Sequence, residues 1–132
     1  IWLIGNGTGI APYLGMIDEN KDAKLRLIWG GRTASSFDLY KPYIEKAMEQ
    51  GRMEKFELAL SRDGKKQYVQ ELLAQQEDQV AKAFESGAVF MLCGSMAMQN
   101  EVLEVLGQIT HNKLKRSLSS FQNNGQLLKD CY

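Results

Sequence analysis

Ile1-Trp2-Leu3-Ile4-Gly5-Asn6-Gly7-Thr8-Gly9-Ile10-Ala11-Pro12 opens the chain, and its reading decides the fold. Four apolar residues with no turn before them read as a buried parallel strand. The alternate glycines Gly5, Gly7 and Gly9 then turn the chain with no Cβ in the way, so backbone N–H groups can come close to a ligand. Pro12 suits the first turn of a helix, where the N–H it lacks would have no partner anyway. Strand, glycine loop and helix N-terminus in this order make an anion site, most often for a phosphate. The same loop also fits a tight strand–helix connection that holds nothing, and the later segments decide between the two.

Outward from this stretch, strand, loop and helix patterns repeat. Further strands are read at Leu25–Trp29, Lys55–Ser61, Ala88–Cys93 and Gln126–Cys131. Helices are read from about Ala11 to Asn20, over Leu39–Met48, from Tyr68 to about Gln75, over Asp78–Ser86, from Met98 to about Thr110 and over Leu114–Asn123. Thr33-Ala34-Ser35-Ser36 offers N-cap residues ahead of the second helix. Val102, Leu103, Val105 and Leu106 mark the buried side of the fifth. The third strand alternates enough to lie near a sheet edge, whereas the fourth is apolar throughout and so central. The pattern predicts an α/β fold, a doubly wound five-stranded parallel sheet with helices on both faces.

A length of 132 residues means one domain with room for a real core. Sixteen basic residues balance sixteen acidic ones, which argues against nucleic acid and against an anionic membrane surface. No apolar run reaches membrane-spanning length and no signal peptide is visible, so membrane association of a longer protein is not encoded here. Cys93 and Cys131 make no disulfide framework, which points to a reducing, cytoplasmic setting. A strand at residue one, without Met, implies preceding sequence, so the chain reads as an excised C-terminal piece of a larger protein.

In open parallel sheets, ligands sit beyond the carboxyl ends of the strands, where the winding reverses. Here those ends carry Gly5–Pro12, Gly30–Arg32, Ser61–Arg62, Cys93–Gly94 and Asp130–Tyr132. The glycine spacing is not GxGxxG, and no acidic residue ends the second strand, so the carboxylate grip on an NAD ribose is missing. Ser61-Arg62-Asp63-Gly64-Lys65-Lys66-Gln67-Tyr68-Val69-Gln70 offers a hydroxyl, a guanidinium and an ammonium to a dianionic phosphate, with Tyr68 able to stack on adenine. Such a run also fits a solvated, charged turn. Cys93 fits a small buried hydrophobe as well as a reactive thiol, the latter only with a lowered pKa. A C-terminal Tyr is otherwise a frayed end. His111, the lone histidine, is given no role.

The loop of form GxGTGxAP resembles the NADP-binding domain of the ferredoxin–NADP reductase superfamily. Ser61-Arg62…Lys66-x-Tyr68-x-Gln70 is similar to the segment that holds the 2′-phosphate and adenine in its diflavin reductase branch, which includes sulfite reductase flavoprotein. Here that loop is one residue shorter, so Lys65 and Lys66 are partly interchangeable in the role, which the match places on Lys66. Cys93-Gly94-x-x-x-Met98 resembles the superfamily's nicotinamide motif, and Glu101 aligns with an acidic residue that contacts the nucleotide. Gly125 to Tyr132 looks like the terminal Arg-Tyr-x-x-Asp-Val-Trp or -Tyr, in which the last ring covers a flavin. Gln126, Leu127 and Cys131 depart from it.

The resemblance implies strand order 3-2-1-4-5 and NADP(H) bound by Gly7, Thr8, Gly9, Arg32, Ser61, Arg62, Lys66, Gln67, Tyr68, Val69, Gln70, Gly94, Met98, Glu101 and Tyr132. It implies catalytic roles for Cys93, Asp130 and Tyr132, and no metal. It further implies an upstream FAD-binding barrel, FMN in the full protein, and hydride transfer from NADPH to FAD with electrons passed to FMN, iron–sulfur or haem partners. The 132 residues alone are then expected to bind nucleotide without reducing anything. An NADH-using reductase and a non-redox nucleotide-sensing module of the same fold are the alternatives. Ser61, Arg62 and Lys66 speak against the first, and Asp130-x-Tyr132 against the second.

Overall fold

The structure, a computed structural model, describes residues 1–19, 24–62 and 66–131, with 8 and 9 described by backbone alone. Five strands form one parallel sheet: β1 (Trp2–Asn6), β2 (Leu25–Gly31), β3 (Met53–Leu60), β4 (Phe90–Gly94) and β5 (Leu127–Cys131). Their order is β3-β2-β1-β4-β5, so β3 is an edge and the winding reverses between β1 and β4. All four pairings are parallel.

Alternation along the strands loads both faces, which is why the sheet is covered on both sides. Leu3, Leu25, Leu27, Trp29 and Cys93 pack with α1 (Ala11–Glu19) and α2 (Lys41–Glu49). Trp2, Ile4, Ile28, Phe90 and Leu92 pack with α3 (Val69–Gln75), α4 (Glu77–Glu85), α5 (Met96–Leu114) and α6 (Leu118–Asn123). Val102 and Leu106 of α5 are fully buried, with Leu103 and Val105 half-buried against the same layer. No helix among the described residues is long and apolar enough to cross a membrane.

Several sequence expectations need correction. Gly5 does not turn the chain: it lies within β1, paired with Trp29 on one side and Cys93 on the other. Alternation puts Gly5 on the same face as Leu3. The Tyr13 hydroxyl approaches that stretch of backbone, 3.0 Å from the Ile4 carbonyl oxygen and 2.7 Å from that of Met91, and donates to them. The turn falls at Gly7, with φ +54°, which opens a 3-10 turn from Gly7 to Ile10.

After β2, Ala34–Phe37 forms a separate 3-10 turn preceded by Thr33, and α2 begins only at Lys41 with Tyr40 as its N-cap. Leu39 therefore lies outside the buried face and is 79% exposed. Leu114 ends α5 instead of starting α6, because Lys115 adopts a left-handed φ of 56°. The Lys115 N–H then bonds the His111 carbonyl and the Arg116 N–H the Thr110 carbonyl, which closes the helix end. The end expected for the first helix, Asn20, lies outside the described residues, as does Lys65.

Candidate functional site

A cleft of about 720 Å³ opens over the carboxyl ends of β1, β2 and β3, between the N-termini of α3 and α5. Glycines let these elements converge. A Cβ on Gly30 at the end of β2 would stand 2.7 Å from Val69 Cγ2, so the start of α3 lies against the strand only because that Cβ is missing. The Ser95 hydroxyl accepts the Met98 N–H at 3.1 Å and caps α5, keeping the helix start ordered at the cleft wall.

Of the residues expected to hold nucleotide, the structure brings Gly7, Arg32, Ser61 and Tyr68 together in this cleft, and with them Val69, Gln70, Met98 and Glu101. The loops after β2 and β3 are zipped side by side: the Ser61 N–H bonds the Gly31 carbonyl at 3.0 Å and the Arg62 N–H bonds the Arg32 carbonyl at 2.7 Å. Two guanidinium-bearing residues thus leave adjacent strand ends. The Gln67 N–H returns to the Leu60 carbonyl at 2.9 Å, which closes the loop and delivers Lys66 beside Tyr68. The Lys66 ammonium stands 5.4 Å from the Tyr68 ring centroid. Its hydrogen bond to Tyr68 raises the ammonium above its ordinary pKa, so it stays cationic. Tyr68 itself is 39% exposed, an aromatic face open to a ligand. Gln70 donates to Glu101 at 3.2 Å and ties α3 to α5 across the cleft.

Cys93 lies elsewhere. Its side chain joins the α1–α2 layer and is 3% exposed, so at this stage it behaves as the small buried hydrophobe that the sequence also allowed. Burial, followed by the nearby Asp130 carboxylate and Cys131, pushes its thiol above the ordinary value. Asp130 is exposed and stands beside Cys93 in register across β4 and β5, whereas Cys131 pairs with Gly94. Burial raises the Cys131 thiol too, but this residue is partly exposed. Iodoacetamide at neutral pH should therefore label Cys131 before Cys93, both more slowly than a free thiol, as peptide mass spectrometry of a time course would read. Tyr132 lies outside the described residues, and for Thr8 and Gly9 only the backbone is described.

Sequence reasoning missed Asn6, Trp29, Ser36 and Ser95, all of which line the cleft. Trp29 Nε1 donates to the Gly7 carbonyl at 2.9 Å and braces the loop. Asn6 Oδ1 accepts the Ser95 N–H at 2.9 Å while Asn6 Nδ2 donates to Ser95 Oγ at 3.2 Å. A polar residue between two glycines was the available signal for Asn6, and Ser two residues past Cys93 was the signal for a cap. Among the described residues no cluster of three or more His, Cys, Asp or Glu could hold a metal ion.

A profile for the oxidoreductase NAD-binding domain matches residues 3–104. Over 143 residues the chain is 28% identical to the sulfite reductase [NADPH] flavoprotein alpha-component of Vibrio cholerae, covering 98% of this chain and 23% of that protein. The Vibrio parahaemolyticus protein of the same description is 35% identical over 145 residues, 100% of this chain and 23% of its own length. A nitric oxide synthase from Anopheles stephensi is 30% identical over 142 residues, 97% of this chain and 11% of that one. The chain thus spans about a quarter or less of these relatives.

Proposed function

Because the chain belongs to the oxidoreductase NAD-binding domain family, we propose that its cleft holds NADP(H) for a flavoprotein reductase of the NADPH-dependent diflavin type. One observation carries this reading: Arg32 and Ser61 from adjacent strand ends line the cleft with Tyr68; Arg62 and Lys66 stand next to them in neighbouring loop residues; and no carboxylate ends β2. Cations and a hydroxyl suit a 2′-phosphate, and an acid there would repel it. The cleft's size also suits a dinucleotide, since ligand pockets run from about 300 to 1,000 Å³.

When bound, NADPH supplies the hydride, and the chain's own residues bind and orient it. Ser61, Arg62 and Lys66 take the 2′-phosphate, with Lys65 its neighbour in the same role, and Tyr68 takes the adenine face. Gln67, Val69 and Gln70 shape that lobe. The Gly7–Gly9 backbone ahead of α1 takes the pyrophosphate. Gly94, Met98 and Glu101 border the remaining half, and Cys93 with Asp130 sets the nicotinamide end. Tyr132 would cover the flavin ring.

In this reading the chain is the NADP-binding domain of a longer cytoplasmic protein. An FAD-binding domain precedes it, and FMN or another electron acceptor follows in the transfer. The relatives' names as flavoproteins support a flavin in the longer protein. The 132 residues alone should bind NADP⁺ without turning it over.

Isothermal titration of the chain tests the reading: NADP⁺ should bind at least about tenfold more tightly than NAD⁺, as one charge-assisted contact supplies. Equal affinities would overturn it. In the flavin-containing enzyme, Cys93→Ala should slow single-turnover flavin reduction about tenfold or more by loosening nicotinamide orientation, with NADP⁺ affinity nearly unchanged. Normal reduction by that variant would return Cys93 to packing alone.

A further inference from the structure

We propose that Asn6 is a ligand-contacting and positioning residue, whose carboxamide locks the glycine loop to the turn after β4 and, with Ser95, offers hydrogen-bond donors to the nucleotide's pyrophosphate. The inference rests on the NADP(H) reading of the cleft.

Asn6 ends β1 and Ser95 follows β4, the two neighbouring strands between which the winding reverses. Beyond the last ladder pair, Gly5 with Cys93, no loop backbone hydrogen bond among the described residues joins these two strand ends. The Asn6 carboxamide spans them with both of its ends: Oδ1 accepts the Ser95 N–H at 2.9 Å and Nδ2 donates to Ser95 Oγ at 3.2 Å. Ser95 Oγ also accepts the Met98 N–H at 3.1 Å, which extends the lock into the first turn of α5.

Counting protons gives the second half of the inference. Ser95 Oγ accepts two hydrogen bonds, so both lone pairs are used and its own O–H can only donate. Asn6 Nδ2 spends one N–H on Ser95 and keeps another. Among the described residues neither remaining hydrogen has a protein acceptor, and both residues line the cleft. Two neutral donors without acceptors, fixed at the point where strand order reverses, suit a ligand rich in acceptor oxygens.

Gly94 keeps this arrangement possible. A Cβ there would stand 2.0 Å from Asn6 Oδ1 and 3.1 Å from the Asn6 nitrogen, and its φ of +147° already favours glycine. The bare backbone at 94 is the seat of the Asn6 carboxamide. Gly94 thus serves the site by what it leaves open.

The test compares NADP⁺ with 2′-AMP, which reaches only the Ser61–Tyr68 lobe, on the 132-residue chain by titration calorimetry. Asn6→Ala should weaken NADP⁺ about tenfold while leaving 2′-AMP within about twofold. Asn6→Asp, which keeps the acceptor to the Ser95 N–H but loses the donors and adds a charge, should weaken NADP⁺ further. Asn6→Ala and Ser95→Ala combined should cost NADP⁺ binding less than the sum of the two, because they break one lock. If the unmutated chain binds 2′-AMP and NADP⁺, and Asn6→Ala binds NADP⁺ as tightly, the inference fails while the cofactor reading stands. Equal weakening of both ligands would make Asn6 a merely structural residue and also overturn it. An unmutated chain that binds neither would overturn the cofactor reading itself.

Discussion

Phe84→Ala should cost the fold about 3–5 kcal/mol, a large share of the roughly 5–15 kcal/mol that holds a domain together. Phe84 is 1% exposed at the junction of α4, β4 and α6. Its ring lies 4.3 Å from that of Phe90, nearly parallel at 17°, and 4.6 Å from that of Phe121 at 44°. Phe90 in turn stacks on Trp2 of β1 at 5.0 Å, so the aromatic run extends from α6 to the strand at the centre of the sheet. Truncation removes the transfer energy of a whole ring and leaves a void walled by stiff rings that cannot close over it. Tyr43→Ala makes the control: Tyr43 is half exposed on α2, and its loss should change stability by less than about 0.5 kcal/mol. Urea unfolding of both variants measures the contrast. A loss below about 1 kcal/mol for Phe84→Ala would mean that the α4–β4–α6 packing is not as described.

The second large effect concerns cofactor choice. Arg62→Ala should weaken NADP⁺ by about tenfold or more and leave NAD⁺ unchanged, erasing most of the preference between them. A hydrogen bond to a charged group is worth about 1.5–3 kcal/mol, and Arg62 belongs at the lower end because it is exposed. Raising the salt concentration should shrink the unmutated chain's preference in the same direction. Parallel titrations of the two nucleotides check it. A variant that loses both nucleotides equally would place Arg62 outside the 2′-phosphate contact.

The parts of this molecule legible in its sequence are those set by one element's own pattern. The apolar run of β4 between two partners and the more polar β3 at an edge read correctly because burial leaves its mark in the residues themselves. What escaped depends on a second element. Gly5 looks like a turn residue until β2 and β4 are placed on either side of it, pairing it with Trp29 and Cys93. Lys115 carries no glycine-like sign that α5 ends there; the left-handed turn is held by the Arg116–Thr110 bond and by the Arg116 guanidinium, 4.1 Å over the Phe121 ring. Leu39 has helical spacing with Tyr43 but falls in the connection before α2. In the site, the residue types of the cation-rich lobe fit a phosphate and a solvated turn alike, and only the family resemblance favours the phosphate. Asn6 carries a faint sign, a polar residue between two glycines, but its partner lies 89 positions away.

Amide chemical-shift mapping with NADP⁺ tests the central claim most directly. Spectra of the isotope-labelled chain should shift at Gly7, Ser61, Tyr68, Gln70, Ser95 and Glu101, around the cleft at the carboxyl ends of the strands. Ile44, Met48 and Leu58, which line a second groove between α2 and β3, should stay where they are. Saturable shifts confined to that second groove, or none at millimolar NADP⁺, would contradict the account.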